Sequence, residues 1–143
     1  MELVDVAAER TYRLRSEVLG WASPATRIDG DGAEHLALAD GEAVVAAVSH
    51  VTWPCPAEPS LPARYFWAMA VDTAYQQRGY GRRLLAAVAD RARASGEAVM
   101  WADARESAVG FYVACGARVA GEPYADDGTG LLVRHVVFPI RRS

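Results

Sequence analysis

The stretch that decides the fold lies at residues 70–85 and reads Ala70-Val71-Asp72-Thr73-Ala74-Tyr75-Gln76-Gln77-Arg78-Gly79-Tyr80-Gly81-Arg82-Arg83-Leu84-Leu85. An apolar strand ends at Val71, a loop supplies two glycines, and an amphipathic helix follows over about 79–95. The first turn of a helix has backbone N–H groups without intrahelical partners and carries the positive end of the helix dipole. We therefore expect an anion site at Gly79 and Gly81, because glycine lets a phosphate approach the backbone.

Two well-known phosphate-binding motifs do not fit this turn. The dinucleotide fingerprint requires a small residue at the position of Leu84, and the P-loop requires a Gly-Lys-Ser/Thr run that the stretch lacks. Positive charge surrounds the turn at Arg78, Arg82 and Arg83. From the turn alone, an anion site and a plain connection between a strand and a helix remain alternatives.

The elements on either side of this stretch predict an α/β (α+β) chain with a mixed β-sheet flanked by helices. The predicted strands are 2–6, 35–38, 43–53, 64–72, 98–102, 117–123 and 131–138, and the predicted helices are 7–20, 79–95 and 106–115. Residues 22–33 read as a loop, and four prolines in 54–62 indicate an exposed connection. Neither flank of that connection is long enough to fold alone, so we expect a single domain over 1–143.

The composition is that of a globular protein, with 52% hydrophobic and 23% charged residues, which argues against a disordered chain. A net charge of −3 disfavours nucleic acid as a partner. Cys55 and Cys115 lack the spacing of a zinc site or of a disulfide framework, so we expect no metal and two reduced thiols, with one disulfide between them as the alternative. Neither a membrane span nor a signal peptide is recognisable, which favours a cytoplasmic protein without a membrane partner.

Two separate motifs occur in the order and spacing of one protein family. The first is Ala70-Val71-Asp72 followed by Gln76, Gly79 and Gly81, and the second is Ala104-Arg105-Glu106 followed by Ala108, Phe111-Tyr112 and Gly116. They resemble motifs A and B of the GNAT superfamily of N-acetyltransferases. Thr73 replaces the usual proline of motif A, and Ala117 stands where motif B usually continues with phenylalanine.

The resemblance implies a fold and an activity. The fold is the single-domain GNAT acyl-CoA N-acyltransferase fold, with a splay between its two central parallel strands. The activity is transfer of the acetyl group of acetyl-CoA directly to a primary amine of a small molecule or protein, in a ternary complex. A longer acyl donor, or a catalytically idle acyl-CoA-binding regulatory module on the same fold, is the alternative. Dimers are common among proteins of this kind, so a homodimer is one expected state.

The resemblance also assigns site residues. The implied coenzyme contacts are Met69, Ala70, Val71, Gln76, Gln77, Arg78, Gly79, Tyr80, Gly81, Arg82, Arg105 and Tyr112. Tyr112 is the implied general acid, since a phenol with a pKa of about 10 stays protonated at neutral pH. The alternative is that Phe111 and Tyr112 are core aromatic residues.

The sequence leaves the general base and the acceptor pocket open. Asp103, at the end of a predicted strand, is one candidate base, and a water relay is another. Other titratable candidates for the amine pocket are Glu17, Asp29, Asp31, His35 and His50. The aromatic residues Trp53, Tyr65, Phe66 and Trp67 either face a core or line this pocket. Cys115 is either a nucleophile or, with more support, a structural thiol.

A finer resemblance is to the ElaA-like branch of the family. It is carried by Leu14-Arg15 with Val18, by His35-Leu36, and by Tyr124 with Asp126-Asp127-Gly128. That branch commonly continues its last motif with Ile-Pro-His, where this chain has Thr129-Gly130-Leu131. Any role of that histidine therefore does not transfer to this chain.

Overall fold

The structure is a computed structural model that describes residues 1–30 and 32–141. Its strands and α-helices follow the order that the sequence predicts. They are β1 Glu2–Asp5, α1 Tyr12–Glu17, β2 Glu34–Asp40, β3 Ala43–Thr52, β4 Ala63–Val71, α2 Tyr80–Ala94, β5 Val99–Arg105, α3 Glu106–Ala114, β6 Arg118–Ala125 and β7 Leu132–Pro139. Among these residues, no helix combines the length and the apolarity that a membrane span requires.

The strands form one mixed sheet in the order β1-β2-β3-β4-β5-β7-β6, which confirms the predicted fold class. β4 and β5 are parallel and pair over Ala63–Tyr65 and Val99–Trp101, near their first residues. The paired register stops there, although β4 continues to Val71 and β5 to Arg105. Pairing limited to the first residues is what the predicted splay between the two central strands requires.

The chain divides into two compact units, and β4 contributes residues to both. The first unit comprises Met1–Thr52 and Phe66–Val88. Its core consists of small and branched apolar side chains from α1 and from β2, β3 and β4. These are Leu14, Ala37, Val44, Ala47 and Ala70, with Val4, Val6, Val18 and Leu19 packed against them.

A buried ion pair fixes the 22–33 loop to the first unit. The guanidinium of Arg15 is bound by both carboxylate oxygens of Asp29, at 2.6 and 2.9 Å, and the Arg15 side chain is only 1% exposed. Arg15 also donates to the Ser49 hydroxyl at 2.9 Å and to the Pro24 carbonyl at 2.8 Å. Because a buried charge is tolerated only when it is paired, these contacts hold the loop in place.

The second unit comprises Trp53–Tyr65 and Ala89–Ser143. Its core contains Cys55, Ala63, Val99, Trp101, Ala120 and Val137, with Tyr65 packed against it. The proline-rich connection was expected to be exposed, and this expectation is wrong at Cys55, which is fully buried and forms a bridge with Glu58. Both cysteines are free thiols, as predicted.

Two predicted elements differ in extent from those observed. The helix predicted over 7–20 is a 3₁₀ turn at Ala8–Thr11 followed by the shorter α1, and Gly20, with φ of +73°, lies beyond its end. The strand predicted to end at residue 102 continues to Arg105 because β7 pairs with it as far as Val133. Asp103 therefore lies inside β5 rather than beyond its end.

Candidate active site

Backbone and side-chain hydrogen bonds of Asp72 and Gln76 hold the connection between β4 and α2 in the first unit. The Asp72 amide donates to the Val45 carbonyl at 2.8 Å, and the Asp72 carboxylate accepts from the Ala74 amide at 3.0 Å. Gln76 then donates through Nε2 to the Val71 carbonyl at 3.1 Å. These bonds end the strand, start the 3₁₀ turn Thr73–Tyr75 and direct the chain towards α2.

The turn into α2 has the backbone geometry of an anion site. Gln77 and Gly79 have φ values of +63° and +81°, in the left-handed region. A Cβ placed on Gly79 would meet no atom of the described residues within 4 Å, so the space beside it is open. The Arg83 amide donates to the Gly79 carbonyl at 3.1 Å, and the amides of Tyr80 and Gly81 come before it at the helix start. Such amides at a helix start are suited to bind an anion.

The charge around this turn is positive. The first turn of α2 has no acidic residue, and Arg82 is exposed there. The Arg78 guanidinium lies 5.2 Å from the centre of the Tyr75 ring, a cation–π contact. The ring of Tyr80 lies 6.3 Å from the same Tyr75 ring. Arginine and tyrosine side chains thus surround the helix start, and no carboxylate in its first turn competes for the amides.

The end of β4 provides the other predicted coenzyme contacts of this unit. Ala70 is 3% exposed and packs in the core, whereas Met69 and Val71 are partly exposed. Successive strand residues point to opposite faces, so Met69 and Val71 share the face opposite Ala70. Ala68 interrupts the regular strand just before them, with φ of +55°. The first unit therefore contains all of the predicted coenzyme contacts except Arg105 and Tyr112.

Tyr112 lies on α3 in the second unit and is 8% exposed. Its ring packs edge-on against that of Phe138, with centroids 6.1 Å apart, and tilted against that of Phe111, with centroids 5.5 Å apart. Burial, with a smaller contribution from Cys115, raises the pKa of Tyr112 to about 12. The phenol is therefore protonated at neutral pH, as the prediction of an acid requires. Arg105 occupies the N-cap position of the same helix and is partly buried.

A polar cluster forms around Asp103 on β5. Asp103 is the register partner of His135 on β7. It accepts hydrogen bonds from the hydroxyls of Tyr65, at 3.1 Å, and Tyr124. His135 Nε2 lies 3.2 Å from Asp103 Oδ1 and 2.9 Å from the Tyr124 oxygen. Trp101 completes this Asp103 cluster, with its ring 4.6 Å from that of Tyr65 and 5.3 Å from that of His135.

The two tyrosines of the cluster are held in their protonated form. Burial raises the pKa of Tyr65, and the charge of Asp103 and its hydrogen bond raise it further. Burial is also the largest cause that raises the pKa of Tyr124, followed by the hydrogen bond and the charge of Asp103. Asp126 and Asp127 act on Tyr124 in the same direction. Both phenols therefore act as hydrogen-bond donors to Asp103 at neutral pH.

Tyr112 and the Asp103 cluster lie on opposite faces of the β5–β7 pair. Asp103 and His135 are register partners, so their side chains share one face. Phe138 is three residues after His135 on the same strand, so its side chain points to the other face. Tyr112 packs against Phe138 and therefore belongs to that other face.

Most of the other titratable candidates have structural contacts in the first unit. Glu17 pairs with Arg13 at 2.8 Å on the surface, and Asp29 pairs with the buried Arg15. His35 is 6% exposed and bonds to the Ser49 hydroxyl at 2.6 Å, and His50 is fully buried. Asp31 lies outside the described residues.

The four aromatic candidates also differ in burial and in their hydrogen bonds. Phe66 is buried, and Trp67 is buried with its Nε1 donating to Asp29 at 3.3 Å. Trp53 is 56% exposed, and its carbonyl accepts from Trp101 Nε1 at 3.1 Å. Among these four aromatic residues, and within the part of the chain that the structure describes, Tyr65 is the one that donates a hydrogen bond to Asp103.

Sequence reasoning missed His135 and gave Tyr124 no site role. His135 lies on a predicted strand and Tyr124 directly follows one, but β6 separates β5 from β7 along the chain. Their approach to Asp103 depends on the β5–β7 pairing, which the order of elements alone does not specify. The available signal was the period-2 alternation that places His135, Val133 and Val137 on one face.

The mixed sheet and the glycine turn into α2 define an α/β acyltransferase class of fold. The family model for the Acetyltransferase (GNAT) family matches residues 2–117, and the chain belongs to this family. Members of the family are acyl-CoA N-acyltransferases. A comparison with curated protein sequences gave no match.

Three solved structures show the extent of the shared fold. A protein from Lactobacillus plantarum, described as an assumed N-acetyltransferase, is 22% identical with a TM-score of 0.80, and the match covers 98% of both chains. An aminoglycoside 6′-N-acetyltransferase complexed with coenzyme A is 11% identical with a TM-score of 0.76, over 100% of this chain and 99% of that one. Escherichia coli ElaA is 15% identical with a TM-score of 0.72, over 96% of this chain and 99% of that one. At these identities the similarity shows the common fold, and membership of the ElaA-like branch stays a prediction.

Proposed function

We propose that this chain is an N-acetyltransferase that transfers the acetyl group of acetyl-CoA directly to a primary amine of a small molecule or protein. The observation that carries this proposal is the turn at Gly79, where a left-handed glycine, open space and the start of α2 occur together. The family to which the chain belongs supports it. So does the coenzyme A held by the aminoglycoside 6′-N-acetyltransferase of the same fold.

The residues of the turn fit the linked phosphates of the coenzyme. The amides of Tyr80 and Gly81 would bind the pyrophosphate, and each charge-assisted bond would contribute about 1.5–3 kcal/mol. The exposed side chains of Gln77, Arg78 and Arg82 would lie beside the phosphates. When bound, the coenzyme supplies an acetyl group activated as a thioester.

The remaining coenzyme contacts are proposed from β4 and from the second unit. Backbone groups near Met69, Ala70 and Val71 would bind the pantetheine arm, and Gln76 would hold the loop that places them. An N–H group of this strand would also stabilise the developing oxyanion. Arg105 would contribute positive charge at the start of α3.

Tyr112 would assist departure of the sulfur. With a pKa of about 12, its phenol donates a hydrogen bond at neutral pH. Complete transfer of its proton to a thiolate, whose conjugate acid has a pKa near 8.5, would be uphill by about 5 kcal/mol. We therefore propose that Tyr112 acts as the acid by stabilising the leaving thiolate through a hydrogen bond. Positioning of donor and amine in one ternary complex would supply roughly 7–11 kcal/mol.

The experiment follows free thiol release when the protein is incubated with acetyl-CoA and a panel of amines. The panel contains putrescine, tyramine, benzylamine and a peptide with a free N-terminal amine. Turnover with at least one amine supports the proposal, and binding of acetyl-CoA with no turnover on any of them favours the idle acyl-CoA-binding module. Propionyl-CoA in a parallel series tests the longer acyl donor.

The Tyr112→Phe variant tests the role of the phenol. We expect its kcat to fall about 10²-fold or more, while the Kd for coenzyme A changes less than about twofold. Phenylalanine keeps the ring that packs against Phe138, so the thermal midpoint serves as the control for folding. A variant with the kcat of the unaltered protein would remove Tyr112 from the mechanism.

A further inference from the structure

The hydrogen bonds of the Asp103 cluster determine which nitrogen of His135 carries a hydrogen. An ionised carboxylate only accepts, and each tyrosine hydroxyl has a single hydrogen, which Tyr65 and Tyr124 donate to Asp103. The Tyr124 oxygen can then only accept from His135 Nε2, which lies 2.9 Å away. Nε2 therefore carries a hydrogen, and in the neutral ring the lone pair is on Nδ1.

This arrangement leaves a position for an added proton on His135 but not on Asp103. Asp103 already faces three donors, from Tyr65, Tyr124 and His135, so a proton added to it would displace one of them. A proton added at His135 Nδ1 would break none of these bonds. The resulting imidazolium would lie beside the Asp103 carboxylate, with Nε2 3.2 Å from Oδ1.

The cluster also has surroundings suited to an amine. The side chains of His135 and Asp103 are 19% and 22% exposed, so neither is fully buried. The rings of Tyr65 and Trp101 pack beside them, and aromatic faces attract organic cations.

We infer that His135 is the general base that removes a proton from the acceptor ammonium, and that Asp103 is the residue that positions it. This inference rests on the proposed function and specifies it further. The acceptor class is a primary amine that is cationic at neutral pH and that reaches the face of the sheet opposite Tyr112.

The step balances without another reactant. One N–H bond of the ammonium breaks and an Nδ1–H bond forms on His135, which leaves a neutral amine. The amine forms a C–N bond with the acetyl carbon as the C–S bond breaks, and the surplus proton on nitrogen neutralises the thiolate. His135 then releases its proton to solvent, so one proton is produced for each amide formed.

A general base must be neutral before it accepts a proton, so the acidic limb of the kcat/KM profile tests this role. The titratable and charged groups around His135 come from each neighbouring element. They are Tyr65 on β4, Asp103 on β5, Tyr124 on β6, Asp126 and Asp127 in the turn after it, and the exposed Arg134–Glu106 pair on β7 and α3. Among these groups, the carboxylate of Asp103 is the one that contacts the imidazole ring of His135 directly.

The first test needs no substrate. Long-range ¹H–¹⁵N NMR spectra of the unaltered protein at high pH report the tautomer of each histidine. We expect the neutral ring of His135 to carry its hydrogen on Nε2, with His135→Gln identifying the signals. A neutral ring protonated on Nδ1 would overturn the inference, because Nδ1 would then have no lone pair for the amine proton.

The second test uses the best amine of the panel and the His135→Gln variant. The glutamine amide can still donate to Asp103 and Tyr124 but cannot take up a proton. We expect kcat/KM at pH 7.5 to fall about 10²-fold and the acidic limb of its pH profile to disappear. For Asp103→Asn we expect a fall of about tenfold to hundredfold with a displaced acidic limb. Arg118→Gln, which loses an exposed ion pair with Glu58, should keep both the rate and the profile.

The outcomes separate the inference from the proposed function. If the unaltered protein acetylates an amine and His135→Gln keeps the same rate and the same acidic limb, the inference fails and the function stands. If the unaltered protein acetylates no amine, the function fails, and the role of His135 as a base fails with it. If His135→Gln loses both its activity and its thermal unfolding transition, the variant is unfolded, and Tyr124→Phe is used in its place. This variant keeps the ring and removes the oxygen that faces His135 Nε2. An unchanged profile in Tyr124→Phe would then count against the inference.

Discussion

The glycine at the start of α2 allows the anion site to be tested with a single methyl group. In Gly79→Ala, the new Cβ would meet no atom of the described residues within 4 Å, so it creates no clash with the protein. It would project into the open space beside the turn, and the residue would have to keep a φ of +81°. Two effects follow, one on stability and one on affinity, and they can be measured separately.

The cost in stability follows from the backbone conformation. An L-residue held in the left-handed region lowers the free energy of unfolding by about 1–2 kcal/mol. Alanine offsets part of this loss, because it gives the unfolded chain less conformational entropy than glycine does. We therefore expect the free energy of unfolding to fall by about 1 kcal/mol, which corresponds to a thermal midpoint lower by about 3 °C. The loss in affinity is a separate quantity. Weakening one charge-assisted amide bond to the pyrophosphate, worth about 1.5–3 kcal/mol, raises the Kd for coenzyme A by about tenfold to 150-fold.

The matched control is Gly96, which follows the other end of α2. Its φ is +76°, and a Cβ there would also meet no atom of the described residues within 4 Å. Gly96→Ala should therefore lose the same stability as Gly79→Ala while binding coenzyme A normally. Calorimetric titration with coenzyme A and thermal unfolding of both variants give the two quantities. Equal affinities in the two alanine variants would refute the anion site at Gly79.

Two further predictions concern the first unit and the mechanism. Burial alone would raise the pKa of Asp29, but the hydrogen bonds and charge of Arg15, with bonds from Thr26, outweigh it and lower the pKa below 3.8. The stabilisation from ionised Asp29 is therefore fully present above pH 3.8 and is lost as the pH falls through the lowered pKa of the folded protein. In urea unfolding, Asp29→Asn should lower the free energy of unfolding by about 3–5 kcal/mol at pH 7 and by progressively less below pH 3.8. The same loss at pH 3 and at pH 7 would contradict this prediction. Cys115→Ala should keep turnover within about twofold in the thiol-release assay, because transfer is direct, and an inactive but folded variant would instead indicate an acyl-enzyme on Cys115.

The sequence allowed the order of elements and the turn at Gly79 to be predicted because both depend on local signals. Amphipathic periodicity marks α2, and glycine marks positions of positive φ such as Gly79 and Gly20. The β2–β3 hairpin is local in the same sense, because Asp40-Gly41 is a typical hairpin turn and Asp40 pairs with Ala43. Such features need only neighbouring residues, so a single chain is enough to find them.

The contacts that depend on distant pairing were not predictable in the same way. Asp29 appeared as a candidate for the amine pocket, but its partner Arg15 is buried on α1, and nothing in the spacing of the two residues indicates an ion pair. His35 was a candidate for similar reasons and is part of the same buried contacts through Ser49. Titratable residue types are visible in a sequence, whereas their burial and their partners are set by the sheet.

The β5–β7 pair gives the proposed chemistry a spatial order that the motifs alone do not contain. Asp103 and His135 face one side of it, and Tyr112 packs on the other side against Phe138. A group that takes a proton from the amine and a group that donates to the leaving sulfur act on different atoms, so they need not share a hydrogen-bond network. Separation by the sheet also keeps the phenol of Tyr112 away from the carboxylate of Asp103. Tyr65 and Tyr124 donate to that carboxylate directly, whereas Tyr112 has its pKa raised by burial and Cys115 instead. Tyr112 and His135 can therefore be substituted one at a time, and the effect of each substitution on kcat can be measured separately.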